Sequence, residues 1–185
     1  MAKRLCPWWL GYVLASPLRR LTYNPAKILA PYVRAGMTVL EPGPGMGFFT
    51  LELARLVGSS GRVVAVDLQP RMIEGLKRRA ARTGLLERVE ARLAARDSLG
   101  VTDLAGTVDF ALAFAVVHEL PAPGHFFIEV AQALKLGACL LLAEPTGHVN
   151  PVEFEGELQA AAQAGLEVAD RPSLRRTRAA LLKKA

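Results

Sequence analysis

Residues 37–67 read MTVLEPGPGMGFFTLELARLVGSSGRVVAVD, and the fold turns on how this stretch divides. Met37–Glu41 is apolar and lies between Gly36 and Gly43, the pattern of a buried strand. Phe48–Val57 repeats its apolar residues at helical spacing and stops at Gly58-Ser59-Ser60-Gly61. Arg62–Asp67 is a second, Val-rich strand. Strand, glycine loop, helix and strand follow one another within a single short unit.

The same alternation continues down the chain. Helices are predicted over Arg71–Thr83, Pro123–Leu134 and Val152–Ala164, the last stopped by Gly165. Strands are predicted at Val89–Leu93, Val108–Val116 and Ala138–Glu144, with closing strands at Leu166–Asp170 and Thr177–Leu182. Asp97–Leu104 reads as a loop or short helix. Near-continuous apolar strands separated by helices need a sheet covered on both faces. The expected fold is α/β, a Rossmann-like doubly wound, mainly parallel seven-stranded sheet with an N-terminal helical arm. The boundaries are 1–35 for the arm or lid and 36–185 for the domain.

The chain has 185 residues, 51% of them hydrophobic, enough to bury a core and too many for a disordered chain. No apolar run reaches the roughly 18–20 residues a membrane span needs. Lys3-Arg4 and the apolar residues to Leu14 imitate a signal peptide, but Pro7, Trp8 and Trp9 break its core and no Ala-x-Ala site follows. Cys6 and Cys139 make neither a metal-ligand spacing nor a disulfide framework, which fits the cytoplasm. The net charge of +6 concentrates in Arg71–Arg96 and Arg171–Lys184. Those faces suit an anionic partner or simply a solvated basic surface. In the arm, Asn24-Pro25 starts a helix. Trp8, Trp9, Tyr12, Val13, Leu18 and Leu21 ahead of it have three readings: core packing, a substrate lid, or an interfacial membrane contact with Arg19-Arg20 at the headgroups.

The loop Gly43-Pro44-Gly45-Met46-Gly47 carries the chemistry. Ligands of open α/β sheets sit outside the carboxyl ends of the strands. A dinucleotide fingerprint would place its third glycine where Phe48 stands, and a phosphate loop would end in Gly-Lys-Ser/Thr, which is absent. Glu41 would repel a pyrophosphate but suit an ammonium or sulfonium. Asp67, at the end of the second strand, is placed to hold ribose hydroxyls or to act as an ordinary helix cap. Bare backbone, a carboxylate and a ribose grip together favour S-adenosyl-L-methionine over NAD or ATP.

From about Thr22 onward the chain resembles the class I S-adenosylmethionine-dependent methyltransferases. The stretches that carry the likeness are VLEPGPGMGFFTLELA, GRVVAVDLQPRMI, ARDSL, VDFALAFAVVHELPAPGHFFIEVAQALKLGACLLLAEP and AGLEV. The nearest likeness is to the ubiquinone/menaquinone-methyltransferase-like branch, through the histidine-containing segment. The resemblance implies that Glu41, Gly43, Gly45 and Gly47 wrap the methionine and that Asp67 with Leu68 holds the ribose. It further implies that Asp97-Ser98 flanks the adenine and that Phe114 and Ala115 lie beneath the sulfonium. Where the family often has Lys-Pro-Gly-Gly, this chain has Lys135-Leu136-Gly137-Ala138, expected to be a turn.

Methyl transfer needs positioning first, and a base only when the acceptor arrives protonated. His118-Glu119, after the fourth strand, is the candidate catalytic pair, with Glu119 or Glu144 orienting the imidazole; the alternative is that His118 only shapes the site. His125 is expected to be exposed, and His148 to approach from beyond the fifth strand. No metal is implied. The Asn/Asp-Pro-Pro-Tyr/Phe loop of nucleic-acid amino methylases is missing, Ala113-Phe114-Ala115-Val116 standing in its place. A small, apolar or aromatic acceptor is therefore expected rather than a nucleic acid, with peripheral membrane contact through the arm and the oligomeric state left open. The competing functions are an RNA or protein methyltransferase, a non-catalytic S-adenosylmethionine-binding protein, and another adenosine-ligand enzyme such as an aminopropyl transferase.

Overall fold

The computed structural model describes residues 7–9, 11, 15–16, 19 and 21–185. Tyr12, Val13, Leu18 and Cys6, which the arm and leader readings involve, lie outside the described residues. Seven strands run in the order β3-β2-β1-β4-β5-β7-β6, the doubly wound arrangement expected. The chain forms two compact units, one ending at Arg96 and the other running from Asp97 to Ala185.

The first unit holds α1 (Pro25–Leu29), β1 (Thr38–Pro42), α2 (Thr50–Leu56), β2 (Arg62–Asp67), α3 (Pro70–Arg82) and β3 (Val89–Leu93). Asn24 caps α1 by accepting the Lys27 N–H at 3.2 Å, as Asn-Pro predicts. β1 and β2 pair in parallel with Leu40 opposite Val64 and Glu41 opposite Ala65, and β3 adds to β2. Val39, Leu40, Val63, Val64 and Ala65 are fully buried, as both faces of a covered sheet require. On α3, Met72, Ile73, Leu76 and Ala80 turn inward, while Arg71, Arg78 and Arg82 are exposed.

The second unit contains β4 (Val108–Phe114), α4 (Pro123–Ala133), β5 (Leu134–Pro145), α5 (Pro151–Gln163), β6 (Leu166–Asp170) and β7 (Thr177–Lys184). β4 and β5 are parallel, whereas β7 is antiparallel to both β5 and β6. Leu140, Leu141 and Leu142 are fully buried and contribute roughly 1.5–3 kcal/mol each through removal from water. Asn150 and Glu153 cap α5 reciprocally, each side chain accepting the other's backbone N–H at 3.0 and 2.9 Å.

The turn expected at Lys135-Leu136-Gly137-Ala138 is instead part of β5. The strand starts at Leu134, and its pairing with β4 steps from Val108↔Leu134 to Phe110↔Cys139. The additional β5 residues are accommodated in a bulge with Gly137 at φ +74°. Leu136 and Gly137 there are exposed, so the glycine marks an irregularity inside the strand rather than its start.

Candidate active site

β1 ends at Pro42, and the backbone then turns through Gly43, Gly45 and Gly47 with φ of +68°, +54° and +83°. At Gly47 an added Cβ would come within 2.4 Å of Leu76 Cδ1, so close packing on α3 as well as the left-handed backbone demands glycine. At Gly45 a Cβ would meet nothing within 4 Å. Packing makes no demand there, and the open side of the loop is backbone.

The loop is tied down by Asp67. Its Oδ2 accepts the Gly45 N–H at 3.2 Å and its Oδ1 the Gln69 N–H at 2.9 Å, while the Val66 carbonyl accepts the Gly43 N–H at 2.8 Å. Leu68 follows, half-buried, in the turn to α3. The Arg79 guanidinium, from α3, donates to the Met46 carbonyl and to that of Ala15.

Glu41 is 3% exposed, and its Oε2 has no hydrogen-bond partner. Burial pushes its pKa up to about 8; the adjacent Thr50 hydroxyl opposes this, the Asp67 charge adds to it, and the Arg19 charge opposes it. The Arg19 guanidinium lies 4.6 Å from the Phe48 ring centre, 5.5 Å from Tyr23 and 5.8 Å from Phe49. Thr50 and Arg79 were not singled out by sequence, and Arg19 only as half of a basic pair. No local pattern marks them, because their contacts form only once the chain has folded.

In the second unit the chain leaves β4 at the buried Phe114 and enters a left-handed residue, Ala115, at φ +58°. A non-glycine residue there costs of order 1–3 kcal/mol and needs over-determination by its surroundings. Those surroundings are the Ala143 carbonyl, which accepts the Ala115 N–H at 2.7 Å, and Glu144 on β5. Glu144 is fully buried; its Oε1 accepts the N–H groups of Val116 at 3.2 Å and Val117 at 2.7 Å, and its Oε2 lies 2.5 Å from His118 Nδ1. Of the two carboxylates considered from sequence, Glu144 is the one hydrogen-bonded to His118. Glu119 acts on it through charge.

Burial works to lower the His118 pKa, but the Glu144 hydrogen bond and the charges of Glu144, Glu119 and Glu157 outweigh it, and the pKa is raised. His148, exposed in the turn after β5, places its ring centre 5.2 Å from that of His118. His125 is exposed, 3.6 Å from Glu129. Asp97 is exposed, and the Ser98 hydroxyl donates to buried Glu129 at 2.7 Å, so this side chain anchors its own loop to α4. The Leu99 N–H donates to the same carboxylate at 2.8 Å. Among the described residues no three His, Cys, Asp or Glu side chains are grouped to hold a metal ion. No described helix is long and apolar enough to cross a membrane.

The chain is matched by a known family profile. The profile described as a methyltransferase domain covers residues 34–172. The chain belongs to the methyltransferase domain family. S-adenosyl-L-methionine is the methyl donor that membership implies.

The curated relatives differ in what their names say they act on, and a solved structure shares the fold. The ribosomal protein L11 methyltransferase of Pelobacter propionicus is 34% identical over 107 residues, 57% of this chain and 31% of that protein. The ubiquinone/menaquinone biosynthesis C-methyltransferase of Hahella chejuensis is 29% identical over 65% of this chain and 47% of its own length. The crystal structure of a SAM-dependent methyltransferase from Aquifex aeolicus superposes with a TM-score of 0.86 at 24% identity, covering 98% of this chain and all of that one. The chain spans less than half the length of the curated relatives it matches.

Proposed function

We propose that this methyltransferase-family chain transfers a methyl group from S-adenosyl-L-methionine to a small, apolar or aromatic acceptor by in-line displacement. The observation that carries the donor half is Glu41, a buried carboxyl with an unpartnered oxygen at the head of the glycine loop. Such a group costs free energy in isolation, and a sulfonium or ammonium nearby would relieve that cost.

When bound, S-adenosyl-L-methionine supplies a methyl carbon made electrophilic by its sulfonium. Glu41 balances the ligand's positive charge, and the backbone of Gly43, Gly45 and Gly47 admits its methionine portion closely. Asp67, at the end of β2, accepts the ribose hydroxyls beside Leu68. By family resemblance Asp97 and Ser98 flank the adenine and Phe114 underlies the sulfonium; with its hydroxyl held by Glu129, Ser98 serves through backbone and shape. His118 accepts a proton from the acceptor, and Glu119 raises its basicity by charge.

A small acceptor is supported by the aromatic residues Trp8, Trp9 and Phe114 and by the missing amino-methylase loop. Two cysteines without a disulfide framework favour a cytoplasmic setting. A protein or RNA acceptor is the second reading, favoured by the L11 relative and by the exposed arginines of α3. Incubation with isotope-labelled S-adenosyl-L-methionine and, separately, a small-molecule extract, total RNA and ribosomal protein decides between them. The label is expected in a small molecule; label in RNA or protein overturns the acceptor reading and leaves the donor reading intact.

A further inference from the structure

We propose that Glu144, His118 and His148 form one proton-handling unit, in which Glu144 positions His118 to present Nε2 as the acceptor and exposed His148 carries the proton on toward water. The proposal rests on the reading of His118 as the base and names the substrate class: an acceptor whose attacking oxygen or nitrogen still carries a proton.

Geometry sets the roles. Glu144 is fully buried, and three groups of one short segment converge on it: the N–H of Val116, the N–H of Val117 and His118 Nδ1. A buried carboxylate accepts and does not donate, so Nδ1 of His118 must carry the hydrogen. In neutral imidazole that leaves Nε2 as the free acceptor. The two backbone bonds fix the segment, so both the ring's tautomer and its orientation are set before any ligand arrives.

Solvent access is graded along the same line. The Glu144 side chain has no exposure, that of His118 is 16% exposed, and His148 is exposed. The two rings are 5.2 Å apart, centre to centre, and tilted by 47°. His148 is held there by the turn in which its N–H donates to the Pro145 carbonyl at 2.9 Å. The charged groups acting on His118 are Glu144 from β5, Glu119 from its own turn and Glu157 from α5, all favouring the imidazolium. His148 is the titratable ring packed beside it.

The step balances. As the acceptor atom bonds to the methyl carbon, the carbon–sulfur bond breaks and its electron pair stays on sulfur, giving a neutral thioether. The acceptor's proton passes to Nε2 of His118, and from the imidazolium to His148 and water. Glu144 remains a carboxylate throughout.

Ring-nitrogen NMR of the full-length protein, labelled at histidine and titrated with pH, tests the unit without a known acceptor. His118 is expected as the Nδ1–H tautomer when neutral. Glu144→Gln should lower its pKa and mix its tautomers, since the amide can donate to Nδ1. His148→Gln should raise the His118 pKa and slow its proton exchange with water several-fold. A neutral His118 found as Nε2–H, or one whose titration ignores Glu144→Gln, overturns the positioning role. Independent titration and unchanged exchange in His148→Gln overturn the relay. Methyl transfer failing with every acceptor would sink the proposed function while leaving these spectra unaffected.

Discussion

Asp67 Oδ2 accepts the backbone N–H of Gly45 at 3.2 Å, joining the end of β2 to the middle of the glycine loop 22 residues earlier. The carboxylate therefore shapes the loop before it can serve a ligand. Asp67→Asn and Asp67→Ala should both weaken binding of S-adenosyl-L-methionine, the alanine more, because it loses the loop strap and the ribose acceptor together. Removing one such bond costs about 1–3 kcal/mol, or roughly five- to 150-fold in Kd, measurable by equilibrium dialysis.

Glycine positions in the loop should separate stability from binding. Gly45→Ala meets only a left-handed backbone, at about 1–2 kcal/mol, because no atom lies within 4 Å of its Cβ. Gly47→Ala adds a clash with Leu76, and overpacking typically costs a further 1–3 kcal/mol. Urea denaturation should rank Gly47→Ala below Gly45→Ala in stability, while Gly45→Ala should lose ligand affinity beyond what its stability explains.

Glu41 gives the free protein a pH signature. Its folded pKa of about 8 lies above the ordinary 4.5, so the native state holds more protons than the unfolded chain between those values. Stability should fall as pH rises through that window and flatten in Glu41→Gln. A cationic ligand prefers the ionised carboxylate, so affinity should rise with pH up to about 8, approaching tenfold per unit. Calorimetry in buffers of different ionisation enthalpy should find a proton released on binding below that pH and none in Glu41→Gln.

His118 carries the same sign as Glu41. Its folded pKa is raised, so its interaction with Glu144 stabilises the fold fully below the unfolded value of 6.5 and is lost as pH rises through the folded one. Methyl transfer to a protonated acceptor should decline as pH falls through that same folded value, with His118→Gln slow at all pH and lacking this limb. Glu144→Ala is a severer change: it strands the Val116 and Val117 N–H groups at about 1–3 kcal/mol for each left buried and unpaired. Chemical denaturation should show it well below Glu144→Gln.

The first half of the site was legible because its determinants are local. An apolar run, three glycines and an Asp at strand spacing specify β1, the loop and β2 without long-range information. The surroundings of Glu41 were not legible: Arg19 reaches it from the arm, and Thr50 matters only once α2 is folded. The sequence left Glu119 or Glu144 to orient His118, and only the fold decides for Glu144, 26 residues away. Gly137 read as a turn because a glycine two residues after a lysine has the same local grammar whether it ends a strand or bulges one.

The most direct measurement is a calorimetric titration with S-adenosyl-L-methionine, S-adenosylhomocysteine and NAD, repeated on Asp67→Ala. The expected result is binding of the first two, none of NAD, and strong loss of affinity in the variant. Preferential NAD binding, or S-adenosyl-L-methionine affinity indifferent to Asp67, would contradict the account.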